Sequence, residues 1–339
     1  MATTVTRLRA VEYLATTTTP ARRRLAIAPA AGVAQPDENA GDERPLLERA
    51  TQGRYKILQL LGRGGMGAVY LAWEYALERN VAIKILSPAL RLSLDDRERF
   101  RREARICASL AHASIIPIYT FGEAEGLPYF VMRYVSGESL ATRLARVGRL
   151  TVDATASVLV DMADALDCAH RRGVIHRDMK PENILFDEET GRPVLTDFGV
   201  ATLRTSEHSV SEAWKKLGTP HYMSPEQVLG EPHFDGRSDV YSLGVVGFQM
   251  LAGRLPFLGL TDRGVAAQHV GIEAPPLEGF VSGLDPEIAR IIDKCLAKNP
   301  ELRWRDSAEL RDALIAAANA KPESRRGLRG LMTRLRRLA

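Results

Sequence analysis

His176-Arg177-Asp178-Met179-Lys180-Pro181-Glu182-Asn183, followed by Asp197-Phe198-Gly199, decides how this chain of 339 residues is read. The two runs place a candidate base, a cation and two metal-binding oxygen donors close together in sequence. Phosphoryl transfer asks a protein for little covalent chemistry. It asks for an aligned hydroxyl, neutralised phosphate charge and held metal ions. Asp178 can accept a hydroxyl proton, and Lys180 can sit on the transferring phosphate. Asn183 and Asp197 offer hard oxygen ligands of the kind Mg²⁺ takes.

Working upstream, Leu61-Gly62-Arg63-Gly64-Gly65-Met66-Gly67-Ala68-Val69-Tyr70 contains G-x-G-x-x-G-x-V. The first part alone also marks dinucleotide-binding folds, where a helix follows the last glycine. Here Ala68-Val69-Tyr70-Leu71-Ala72-Trp73 is short and β-rich, so a strand–turn–strand is expected. Its glycines let backbone N–H groups approach phosphate with no Cβ in the way. Val81-Ala82-Ile83-Lys84 follows as an apolar strand with a cation at its end. A helix is predicted from Ser93 or Asp95 to about Leu110, with Phe100, Cys107 and Leu110 on one face. Glu103 shares that face, and a carboxylate there needs a partner. Lys84 is the natural candidate, while Glu98 sits off the face.

Taken together, these runs resemble eukaryotic-like protein kinases over residues 54–315, and in style the bacterial serine/threonine kinases. Further matches carry the resemblance: Gly218-Thr219-Pro220, Ser224-Pro225-Glu226, the apolar helix opening at Ser238-Asp239, and Arg303. The resemblance implies an α+β, two-lobed fold. A β-rich N-lobe with one main helix spans 54–135, and a mostly helical C-lobe spans 136–315. It implies ATP and Mg²⁺, with Mn²⁺ as a substitute, and protein substrates with Ser or Thr acceptors. Asp178, Lys180, Lys84 and Glu103 would be catalytic. Leu61, Gly62, Arg63, Gly64, Gly65, Met66, Gly67, Ala68, Val69 and Ala82 would line the nucleotide site, with Lys84, Met132, Arg133, Val135 and Asn183. Asn183 and Asp197 would hold metal. Asp239 would bond the backbone around Asp178, and Arg303 would pair with Glu226.

One position departs from the family pattern. Phe130-Val131-Met132-Arg133-Tyr134-Val135 resembles the hinge that holds adenine, where an acid usually stands at Arg133. Backbone groups of Arg133 and Val135 would still serve, and Met132 would narrow the back pocket. Arg177 before the base implies control by a phosphorylated loop, with Thr205 or Ser206 as the favoured acceptor. Two other readings differ in class. A kinase-like scaffold would have lost Lys84, Asp178, Asn183 or Asp197. A small-molecule phosphotransferase usually lacks the Gly-Thr-Pro to Ser-Pro-Glu segment.

Composition agrees with a two-lobed domain plus extensions. Cys107, Cys168 and Cys295 lack metal-like spacing and read as small buried hydrophobes in a reducing, cytoplasmic setting. No stretch resembles a membrane span. The formal charge is +4, but residues 321–339 alone hold a net +6 and residues 1–53 a net +1, leaving the core near −3. Nucleic acid is therefore not an expected partner. Residues 1–53, rich in Thr, Ala, Pro and Arg, read as a disordered arm. Residues 316–339 read as a basic tail. Its Leu328, Leu331, Leu335 and Leu338 share a helical face opposite arginines, which suits weak contact with an anionic membrane surface.

Overall fold

Strand β1 (Tyr55–Gly64) turns back on β2 (Gly67–Glu74), which pairs with β3 (Arg79–Leu86). Strands β4 (Ile118–Ala124) and β5 (Leu127–Arg133) complete an antiparallel sheet in the order β1-β2-β3-β5-β4. The computed structural model describes residues 43–64, 67–86, 101–102, 104–198 and 220–320. The alternation of side chains along β2 sorts them between the two faces of the sheet. Ala68, Tyr70 and Ala72 join Val81, Ile83 and Val131 in one cluster. Val69 turns the other way, with Leu61, Ala82, Met132 and Val135.

The first cluster also contains Leu47, fully buried, from a helix that the sequence reading did not anticipate. This helix, α1 (Arg44–Ala50), places Pro45 in its first turn, where a missing N–H costs nothing. The expected disordered arm of residues 1–53 is corrected accordingly: its last residues, 43–53, are folded against the sheet. Leu46-Leu47 and Ala50 supply an apolar stripe, which the low-complexity composition around them obscured. Of the expected helix ending near Leu110, residues 101–102 and 104–108 are helical, and Cys107 and Leu110 are buried. Its start lies outside the described residues.

The C-terminal lobe is built on α3 (Val152–His170) and α5 (Arg237–Ala252), with α2 (Leu140–Val147) preceding them. Thr151 accepts the Ala154 N–H to start α3, and Ser139 does the same for α2 through Thr142. The smaller α4 (Pro225–Leu229) and α6 (Asp262–Gly271) flank α5, and α7 (Pro286–Cys295) and α8 (Ser307–Asn319) pack on α5 and α3. α8 runs past the expected domain end at 315, so the tail proper begins after the helix. Val240, Leu243, Val246 and Phe248 of α5 are fully buried, as its apolar run requires. All three cysteines are free and buried, and burial pushes the Cys295 thiol up to about 12. Among the described residues no helix is long and apolar enough to cross a membrane.

A short hairpin of β6 (Ile184–Phe186) and β7 (Pro193–Leu195) sits where the lobes meet. Leu195 exchanges backbone hydrogen bonds with Ser114 and Ile116 on the approach to β4. The segment between α3 and β6, residues 171–183, leads into this hairpin. It carries the run that decided the sequence reading.

Candidate active site

His176 is fully buried and anchors the segment. Its Nε2 lies 2.8 Å from the Thr196 carbonyl, and its Nδ1 lies 3.3 Å from the Asp178 N–H. A carbonyl only accepts and an amide N–H only donates, so these partners select the neutral tautomer with the proton on Nε2. The ring also meets Phe198 edge-on at 4.7 Å between centroids.

Asp239, at the start of α5, fixes the backbone of the same segment. Its carboxylate accepts the N–H groups of His176 at 2.7 Å and Arg177 at 2.8 Å, as expected from the sequence. It also lies 2.7 Å from His170 Nε2. Burial alone would raise the Asp239 pKa. The hydrogen bond and charge of His170, with His176, outweigh it and hold the carboxyl below its ordinary value.

These anchors present Asp178. Lys180 Nζ lies 3.0 and 2.7 Å from its two carboxylate oxygens. Asn183 Nδ2 donates to the Asp178 carbonyl at 2.8 Å and to its carboxylate at 3.1 Å. With its Nδ2 so engaged, Oδ1 is the Asn183 atom suited to a cation. Lys84, at the inner end of β3, pairs with Asp197 at 2.7 Å. Burial pushes Asp197 up, but the Lys84 charge and hydrogen bond, helped by Lys180, leave it below its ordinary value. Asp197 adopts φ 66°, a left-handed conformation rare outside glycine. Glu103, the expected partner of Lys84, lies outside the described residues, as do Glu98, Gly65, Met66, Thr205, Ser206 and Thr219.

Leu61, Val69, Ala82, Met132 and Val135 converge in one apolar cluster, a lining of the kind that accepts a flat heterocycle. The sequence reading missed Leu185, Ile116 and Val194 in this cluster. The signal for Leu185 was present: two residues after Asn183 on β6, it faces the cluster while Ile184 faces the C-lobe core. The Ala68 side chain belongs to the opposite face of the sheet with Leu47, which leaves its backbone as the part turned to the slot's strand edge. The Arg63 side chain is also turned to that side, where Glu43 and Tyr70 bond it.

Gly67 explains the tight hairpin above this slot. Its φ is 139°, and a Cβ would lie 2.0 Å from the Ile85 carbonyl oxygen. Gly62 and Gly64 have open space where a Cβ would be. Arg133, the family departure, bonds Asp187 at 2.5 Å across the lobe junction. Asp187 in turn orders its own turn through Glu189 N–H and Thr190.

The residues present fit a magnesium-bound nucleotide. Mg²⁺ takes one or two protein oxygens and fills its remaining positions with phosphate and water. Asp197 and Asn183 supply that number, and no larger cluster of metal-binding side chains occurs among the described residues.

Comparison with known proteins agrees. A family model described as the protein kinase domain matches residues 55–313. The serine/threonine-protein kinase PknB of Mycobacterium tuberculosis is 40% identical over 274 residues, covering 79% of this chain and 44% of PknB. PrkC of Bacillus subtilis is 36% identical over 275 residues, covering 81% of this chain and 42% of PrkC. The chain thus spans under half the length of these curated relatives. The crystal structure of the M. tuberculosis PknI kinase domain superposes with a TM-score of 0.65 at 28% identity, covering 79% of this chain and 97% of that one.

Proposed function

The chain belongs to the protein kinase family, and from that premise we propose that it transfers the γ-phosphate of ATP to Ser or Thr hydroxyls of protein substrates. One observation carries the proposal: the Asp178 carboxylate is gripped by Lys180 and Asn183 in a segment anchored by Asp239, with the Lys84–Asp197 pair on the neighbouring strand ends. Bound ATP supplies the phosphoryl group, and a divalent ion offsets its charge.

The chain's own residues would do the rest. Asp178 orients the acceptor hydroxyl and takes its proton as the new oxygen–phosphorus bond forms and the bond between the γ-phosphorus and the β-phosphate oxygen breaks, releasing ADP. Lys180, already beside Asp178, stabilises charge developing on the transferred group. Lys84 would grip the phosphates, and Asp197 and Asn183 would hold the metal ion, which would supply the charge that offsets them. The apolar slot from Leu61 to Leu185 holds the base, and backbone groups of Arg133 and Val135 fix its edge. Arg177 would pair with a phosphate on the loop at Thr205 or Ser206 and thereby regulate access. The basic tail would add weak attachment to anionic membrane, measurable by liposome sedimentation with and without residues 321–339.

Transfer of labelled γ-phosphate from ATP to a generic basic protein tests the activity. Asp178→Asn should lower the rate by about 10²–10⁴-fold while circular dichroism stays unchanged. Wild-type-like transfer by that variant would remove Asp178 as the base. No transfer by the wild type would remove the kinase reading.

A further inference from the structure

Glu43 precedes α1 but does not cap it: its side chain makes no bond to the helix N–H groups. It reaches instead to Arg63, which stands between Gly62 and Gly64 in the glycine hairpin. Oε1 accepts from Nη1 at 2.7 Å and Oε2 from Nη2 at 2.6 Å, a two-pronged pair. Tyr70 Oη, on the facing strand, donates to the same Oε2 at 3.0 Å. The pair is largely withdrawn from water, with side-chain exposures of 15% for Arg63 and 10% for Glu43. The carboxylate can hardly drift, because Leu47, one turn on, is fully buried in the N-lobe core. At the far end of α1, Arg49 reaches Glu125 in the turn between β4 and β5 through an exposed pair.

We propose that Glu43 is a positioning residue for the phosphate loop: held by α1, it pins Arg63 and so sets the backbone of Gly62 and Gly64 before ATP arrives. The inference rests on reading that hairpin as the phosphate loop. Glycines flanking an unpinned residue sample a wide range of backbone conformations. A bidentate Arg–carboxylate pair fixes direction as well as distance. Ordering the hairpin in advance removes an entropy cost that nucleotide binding would otherwise bear. The segment before the kinase domain is thus mechanically connected to the nucleotide site.

The test uses the full chain with Glu43→Gln, Arg63→Glu, the swapped pair Glu43→Arg with Arg63→Glu, and Arg49→Ala. ATP affinity by calorimetry and KM against kcat are measured alongside melting temperature. Glu43→Gln should weaken ATP binding and raise its KM by about five- to tenfold, with kcat within about twofold. The swapped pair should recover most of the loss. Arg49→Ala, which removes only an exposed pair at the far end of α1 and leaves Leu47 and Glu43 seated, should leave ATP affinity unchanged. Unchanged ATP affinity in Glu43→Gln, or equal weakening by Arg49→Ala, would overturn the proposal. A wild type that binds ATP but transfers no phosphate would overturn the kinase reading alone, since the affinity ratio still judges Glu43. A wild type that does not bind ATP overturns both.

Discussion

Asp239 holds Arg177 in a left-handed backbone conformation. The Arg177 N–H donates to its carboxylate at 2.8 Å while φ stands at 67°. Gln227 of α4 takes the other side of the same residue, donating to the Arg177 carbonyl at 2.9 Å. The strained turn before Asp178 is therefore clamped by two helices, and its geometry depends on both. Asp239→Ala should destabilise the protein by about 3 kcal/mol or more, because it leaves the buried His176 N–H and the partly buried Arg177 N–H without an acceptor. Gln227→Ala should cost less stability yet lower kcat. Thermal unfolding and single-turnover phosphotransfer measure the two effects, and a Gln227→Ala enzyme with unchanged turnover would show that Asp239 alone sets the turn.

Glu226 and Arg303 form a buried, densely hydrogen-bonded ion pair in the C-lobe. The guanidinium bonds both Glu226 oxygens at 2.7 and 2.8 Å and the carbonyls of Ala297, Arg237 and Lys298. Lysine cannot reproduce that fork, so Arg303→Lys should cost about 2–4 kcal/mol near neutral pH. Burial raises the Glu226 pKa, but Arg303 outweighs it and holds the carboxyl below its ordinary value of 4.5. A depressed carboxylate contributes stability above its unfolded pKa and loses it as pH falls through the folded value. The gap between wild type and variant should therefore narrow only below the 4.5 of the unfolded carboxyl. Melting temperature against pH reads this directly.

Asp161 presents the opposite sign. It is 5% exposed within α3, and burial, aided by Asp164 and opposed by Arg192 and His112, pushes its pKa from 3.8 up to about 6. A raised carboxyl binds its proton more tightly in the folded state, so its ionisation draws stability down as pH rises from 3.8 to about 6. Asp161→Asn removes that slope. Relative to wild type it should gain on the order of 1–3 kcal/mol between acid and neutral pH. Parallel stability curves for the two proteins would mean that Asp161 stays solvated enough to ionise freely.

The glycine hairpin should respond unequally to alanine. Gly67→Ala drives a Cβ against the Ile85 carbonyl at a φ that alanine avoids, and should cost at least about 2 kcal/mol. Gly62→Ala meets open space and should fold normally. Any loss there belongs in the KM for ATP. Equal melting temperatures for the two variants would contradict the hairpin geometry.

Short-range chemistry was legible in the chain itself. Asp178, Lys180 and Asn183 stand so close in sequence that almost any compact path brings them together. The glycine hairpin follows from residue types that dictate their own backbone, and the burial of α5 from its unbroken apolar run. The resemblance to the kinase family added Asp239 on the backbone around Asp178, and the Glu226–Arg303 pair across 77 residues.

Other pairings were decided only by the tertiary structure. The Glu43–Arg63 pair joins a segment whose composition suggested disorder to a loop whose arginine was assigned to the nucleotide. Leu47 explains it, because burying one leucine stripe places the carboxylate beside the sheet. Arg133 and Asp187, 54 residues apart, meet because β5 and the β6–β7 hairpin come from different lobes packed edge to edge. The same packing puts Leu185 in the slot with Leu61. Local spacing sets which residues share a turn or a face. Contacts between elements depend on how apolar faces are layered, and no spacing rule along the chain encodes that layering.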